Sequence, residues 1–147
     1  MTYTALDRYC LVTVQAHGEV IPEAQQSDYQ AGIAEIDGQL WRIRTARTTP
    51  TKSGGFVAIW HRDETGSTAP YVSDAELHGA LVFIEQSERF GVFRFTQQHL
   101  EQLGVYASAT APGKRGFRVY PSWVTGLHGQ AKKSQDAQRP AFSVLVD

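Results

Sequence analysis

Cysteine is nearly absent: Cys10 stands alone among 147 residues, so no disulfide can form within the chain. Long apolar runs are missing too. Stretches such as Ala80 to Ile84 fall far short of the roughly 20 residues a membrane-spanning helix needs. Met1 to Ala5 carries no basic residue, and Asp7 and Arg8 interrupt the early apolar positions, so the start has no secretory pattern. Internal repeats, low-complexity tracts and linkers are lacking as well. His17, His61, His78, His99 and His128 show no zinc-ligand spacing and have no cysteine partners. A Gly-x-Ser-x-Gly elbow, a Walker loop and dinucleotide-binding glycines are all absent. The residues therefore give no support to an enzyme, a metal or a cofactor.

The remaining composition is that of a globular protein, 41% hydrophobic and 20% charged. A chain of this size buries roughly 68–70% of its unfolded surface, enough for a core without staples. One cytoplasmic domain over 1–147, away from membranes, is expected.

Charge is sorted along the chain although its total is only −1. Residues 1–39 and 63–111 each carry a balance of −5, whereas residues 40–62 and 112–139 each carry +5. Folded onto one face, the two basic blocks would make a strong positive patch for phosphates or acidic partners. Left apart, each would be a solvated face opposite an acidic one.

The pattern of elements is mixed. Tyr9 to Val14 is rich in strand-forming types, and Pro22 to Tyr29 has room for a helical turn. Leu40 to Thr45 alternates, with Arg42 and Arg44 on one face about 7 Å apart. Phe56 to Trp60, Ala80 to Glu85, Gly91 to Phe95, Phe117 to Tyr120 and Ala141 to Val146 read as strands. Thr96 starts a helix that Gly104 closes, and Gly129 to Gln138 is a polar helix ending before Pro140. An α+β class follows, with a mixed or antiparallel central sheet flanked by helices.

Two segments concentrate the chemistry. Arg42, Arg44, Arg47, Thr49 and Lys52 precede Gly54-Gly55, a set of guanidinium forks, hydroxyls and backbone amides suited to phosphate. Lys114, Arg115 and Arg118 are interleaved with Phe117, Tyr120 and Trp123, as stacking on bases with charge on the backbone requires. Lys132 and Lys133 extend this surface on the following helix. The leading expectation is a non-catalytic nucleic-acid-binding domain whose basic groove contacts phosphates through these residues, with Tyr120 or Trp123 stacking on a single strand.

A rival reading is a metal-dependent nuclease or phosphodiesterase of the PD-(D/E)XK type, which needs an Asp and then a strand-borne (Asp/Glu)-x-Lys. Asp74 followed by Glu85-Gln86-Ser87 comes nearest, with Ser87 in the lysine's place. A third reading is a pocket for a small anion or an acidic protein partner.

Several of these stretches, in order, resemble the MepB family. They are Ser27-Asp28-Tyr29, Arg44-x-Ala46-Arg47-x-Thr49-Pro50-Thr51-Lys52-x-Gly54-x-Phe56-Val57, Trp60-x-Arg62 and Ala69-Pro70-Tyr71 with Asp74. Gly91-x-Phe93-x-Phe95, then Gly113 through Trp123, then Gln130 through Gln135 with Gln138 complete the series. The resemblance spans about Ile21 to Phe142. It implies a restriction-nuclease-like core with a degenerate active site, and nucleic-acid binding. The chain departs from the family pattern at Gln25-Gln26, where Glu-Ser is usual, and at Arg47, where lysine is. Thr96-Gln97 also replaces Pro-Lys, and Ala137 replaces Trp. Loss of that acid and lysine implies loss of any catalysis that needs the pair.

Overall fold

The first element corrects the expectation of a strand over Tyr9 to Val14. In the computed structural model, which describes residues 2–25 and 27–147, Thr4–Thr13 is a helix, α1. Residue type suggested β, but spacing decided the outcome: Ala5, Leu6, Tyr9 and Cys10 form one buried helical face. Tyr9 packs on Phe83 at 5.4 Å, while Leu11 and Val14 are left exposed.

The strands follow in chain order: β1 (Ile21–Pro22), β2 (Gly32–Ile36), β3 (Gln39–Thr45), β4 (Arg47–Thr48) and β5 (Gly55–Ala58). After them come β6 (His61–Arg62), β7 (Thr68–Ala69), β8 (Gly79–Gln86), β9 (Arg89–Thr96) and β10 (Gly116–Val119), then β11 (Phe142–Val146). Helix α2 spans Gln97–Gln102 and α3 spans Gly129–Gln138, with 3-10 turns at Ser27–Tyr29 and Arg139–Ala141. Thr96 caps α2 as expected, its side chain accepting from the His99 amide, and Gly104 follows with φ +75°.

Six strands form a mixed sheet in the order β1-β2-β3-β8-β9-β11, with β3 and β8 parallel and the other pairs antiparallel. Hairpin β2–β3 closes on Asp37-Gly38, both at positive φ, the conformation a two-residue turn between twisted strands requires. A parallel pair needs a crossover, and here it carries β4 to β7. Within it, β4 and β5 join β10 in a second sheet, ordered β10-β5-β4.

The fold is therefore α+β with a mixed central sheet. Strand β8 is apolar on both faces because both are covered. Ala80, Val82 and Ile84 join Val57, Phe117 and Val119 of the small sheet in one core cluster. Leu81 and Phe83 face the other way, onto Leu6, Tyr9 and Cys10 of α1. Among the described residues, no helix is long and apolar enough to cross a membrane.

Helix α1 ends on Val14 at φ 56°, a left-handed position that β-branched residues avoid. Val14 is 91% exposed, so its side chain gives nothing back. Relief of about 1–2 kcal/mol of left-handed strain, less about 0.4–1 kcal/mol of added unfolded-state entropy, makes Val14→Gly stabilising by up to about 1.6 kcal/mol. Urea unfolding should show a higher midpoint at unchanged slope.

Candidate functional site

Arg42 and Arg44 leave the same face of β3, and that face points inward. The structure therefore removes both from the expected phosphate surface: their side chains are 5% and 0% exposed. Glu23, in the loop after β1, holds both. Its Oε1 accepts from Arg42 Nε at 3.0 Å and from Arg44 Nη1 at 2.7 Å. Its Oε2 accepts from Arg42 Nε at 3.0 Å and from the Tyr71 hydroxyl at 3.2 Å.

Further donors of both guanidiniums reach other residues. Arg42 Nη1 donates to the Tyr106 hydroxyl, and its guanidinium lies 3.5 Å from the Tyr71 ring centre. Arg44 donates from Nε and Nη2 to Gln25 Oε1 and from Nη1 to the Ile43 carbonyl. Burial raises the hydroxyl pKa of Tyr71 and Tyr106. For Arg42 burial acts against the charge, but the oxygens of Tyr106, Glu23 and Tyr71 more than offset it. A cleft of about 620 Å³ opens over this cluster, lined by Glu23, Arg42, His61, Tyr71 and Asp74 among others.

A different surface gathers the other cations. A cleft of about 340 Å³ lies between α2, β10 and α3, lined by Lys114, Arg118, Tyr120 and Lys133. A second, of about 370 Å³, takes Lys52 and His128 and shares Arg118 and Tyr120 with the first. Neither is lined by a carboxylate. Arg118 fixes the wall between them, donating to the Ser53 carbonyl at 2.8 Å and to Thr49 Oγ1 at 3.2 Å. Gly54 completes that wall at φ +75°. A Cβ there would sit 2.3 Å from the Val119 carbonyl oxygen and 2.9 Å from the Tyr120 ring.

Helix α3 reaches this place through amides rather than through an apolar face. The buried Gln138 accepts from the Tyr120 amide at 2.9 Å and donates to the Arg118 carbonyl at 2.8 Å, pairing the free edge of β10 like a neighbouring strand. Gln135, also buried, donates to the carbonyls of Pro121 and Val124.

The rest of the expected set is dispersed. Arg47 is exposed and paired with Asp28 at 2.9 Å. Thr49 serves Arg118, as described. Arg115 is exposed but lines neither cleft. Lys132 turns to the other side of α3 and pairs with Asp136 at 2.9 Å. Trp123 is not open for stacking: it packs edge-on against Phe142 at 5.3 Å and donates to Gln86 Oε1.

Asp74 and Glu85 stand at opposite ends of β8, separated by roughly 20 Å of strand at about 3.3 Å per residue. Glu85 is bonded to Arg8 of α1 at 2.9 Å. These two carboxylates cannot share a metal ion. Among the described residues, no three His, Cys, Asp or Glu side chains are grouped to hold one.

Glu23 and Tyr106 did not stand out in the sequence, Gln25 and Tyr71 entered only as positions of the family pattern, and Gln138 was not read as a structural device. Glu23→Gln should cost about 3–5 kcal/mol in urea unfolding, because two buried guanidiniums lose their carboxylate. A loss below about 1 kcal/mol would mean that the arginines find other acceptors. Gln138→Ala should cost about 1–3 kcal/mol by unpairing the β10 edge, and should speed amide exchange at Tyr120.

A family model described as MepB-like matches residues 23–144. A solved structure, described as the crystal structure of MepB, superposes with a TM-score of 0.83 at 27% identity, covering 97% of each chain. No curated protein matches the sequence significantly. The matched segment holds Glu23, both buried arginines and the whole basic cleft, and the chain belongs to the MepB-like family.

Proposed function

We propose that the protein binds nucleic acid without cleaving it, gripping phosphates along the face where the two basic clefts meet. One observation carries the reading: adjoining clefts share Arg118 and Tyr120, collect Lys52, Lys114 and Lys133, and are lined by no carboxylate. In a protein of net charge −1, such a concentration of cations gives a local field that attracts polyanions. The groove differs from the one the sequence suggested, since Arg42 and Arg44 belong to the interior.

Lysine and arginine contacts of this kind position a strand without reading its bases. The cleft over Glu23 and Asp74 suits a polyanion less well, since carboxylates form part of its wall.

The test is fluorescence anisotropy of a labelled single strand titrated over a series of salt concentrations. With Lys52, Lys114, Arg118 and Lys133 in contact, the log–log slope should lie near −3, at about −0.7 per phosphate. The double variant Lys114→Ala/Lys133→Ala should flatten it by about 1.4 and leave the unfolding midpoint unchanged. No binding at the lowest salt, or a slope the double variant does not move, would overturn the reading. Retention of inorganic phosphate alone would favour a small-anion site.

A further inference from the structure

We infer that the two basic clefts take successive nucleotides of a single strand, one base on each side of Tyr120. This rests on the phosphate-binding reading above and adds the form of the ligand. Phosphate contact alone needs only cations at a surface, yet apolar side chains line both clefts beside the cations. Leu103, Val105 and Phe117 line the first, and Leu127 and Ala131 line the second. A lining that mixes apolar side chains with cations matches a ligand with a flat apolar body and an anionic link, which is the chemistry of a nucleotide.

Size agrees with that chemistry. Cavities of about 300 Å³ and upward accept small organic ligands, and these measure about 340 and 370 Å³. Two such spaces side by side, sharing one arginine, fit two bases and the phosphate between them, with Arg118 at the phosphate. Lys114 and Lys133 then meet the phosphate on one flank and Lys52 the phosphate on the other.

Tyr120 is the partition. The Cδ1–Cε1 edge of its ring is the part nearest Gly54, and its amide is held by Gln138. Half-buried and lining both clefts, with its backbone fixed by Gln138, Tyr120 stands where a base in either cleft meets an aromatic ring. Paired bases in a duplex are already stacked on each other and expose only their edges in the grooves, so a duplex can offer the clefts nothing but phosphates. An unpaired strand can turn its bases out onto an aromatic platform.

The experiment uses the full chain with three labelled probes of equal length: an oligothymidylate, an abasic deoxyribose-phosphate strand, and a duplex. The oligothymidylate should bind at least about thirtyfold more tightly than the abasic strand, the increment expected of two stacked bases, and more tightly than the duplex. Tyr120→Leu should lower oligothymidylate affinity about tenfold, and Tyr120→Phe should restore it. Equal affinity for the abasic and base-bearing strands would overturn the inference while leaving the phosphate reading intact, as would preference for the duplex. If no probe binds, both fall. The probe comparison is made on the unaltered protein, so a misfolded Tyr120 variant does not blunt it.

Discussion

One carboxylate holds the two halves of this molecule in register. Glu23 lies in the loop between β1 and the 3-10 turn, Arg42 and Arg44 lie on the central sheet, and their partners extend outward. Tyr71 comes from the crossover, Tyr106 from the loop after α2, and the Ala58 carbonyl, which accepts from Arg44 Nε, from the end of β5. Four segments outside the central sheet thus meet it at this cluster. Two guanidiniums with so little exposure are tolerable only because nearly every donor finds an oxygen. A buried ion pair of this kind is a weak source of net stability compared with an apolar core, but it selects one arrangement, since any other strands a charge. The position of the small sheet, and so of β10 and its clefts, is set by that selection.

Most elements were legible where local pattern and tertiary burial agree. Ala80 to Glu85 and Gly91 to Phe95 read as strands because their apolar content exceeds what a half-exposed segment carries, and both lie mid-sheet. Thr96 and Gly104 marked a helix by its ends, as their chemistry requires. Helix α1 was misread for the opposite reason. Its strand-like residues Leu11, Val12 and Val14 lie at or beyond its exposed end, while its core-forming spacing begins before the segment that drew attention. The sheet order was not legible, because the pairing of β3 with β8 depends on contacts across more than thirty intervening residues.

The site was legible in composition and not in orientation. Arg42 and Arg44 resembled the outer face of a strand, since alternation with Trp41 and Ile43 implies one wet side. The strand is instead buried on both sides, and its polar face meets an acid from a distant loop. A signal was present: residues 40–62 contain no carboxylate, so an inward arginine there must borrow one from elsewhere. Trp123 and Tyr120 could not be told apart by type or spacing. Packing separated them, sending Trp123 onto Phe142 and leaving Tyr120 between the clefts.

Charge sorting along a chain overstates the surface it can make. Of the five cations in residues 40–62, two are buried on the one carboxylate of Glu23, Arg47 is met by Asp28, and Arg62 bonds the Gly66 carbonyl beside Trp60. Only Lys52 of that block reaches the clefts. The second block behaves otherwise because α3 is docked by glutamine amides, which satisfy the edge of β10 without using a lysine. Had α3 been held by ion pairs, Lys133 would have been consumed as Lys132 is by Asp136. Neutral docking keeps the cation free, and the free cations define the face.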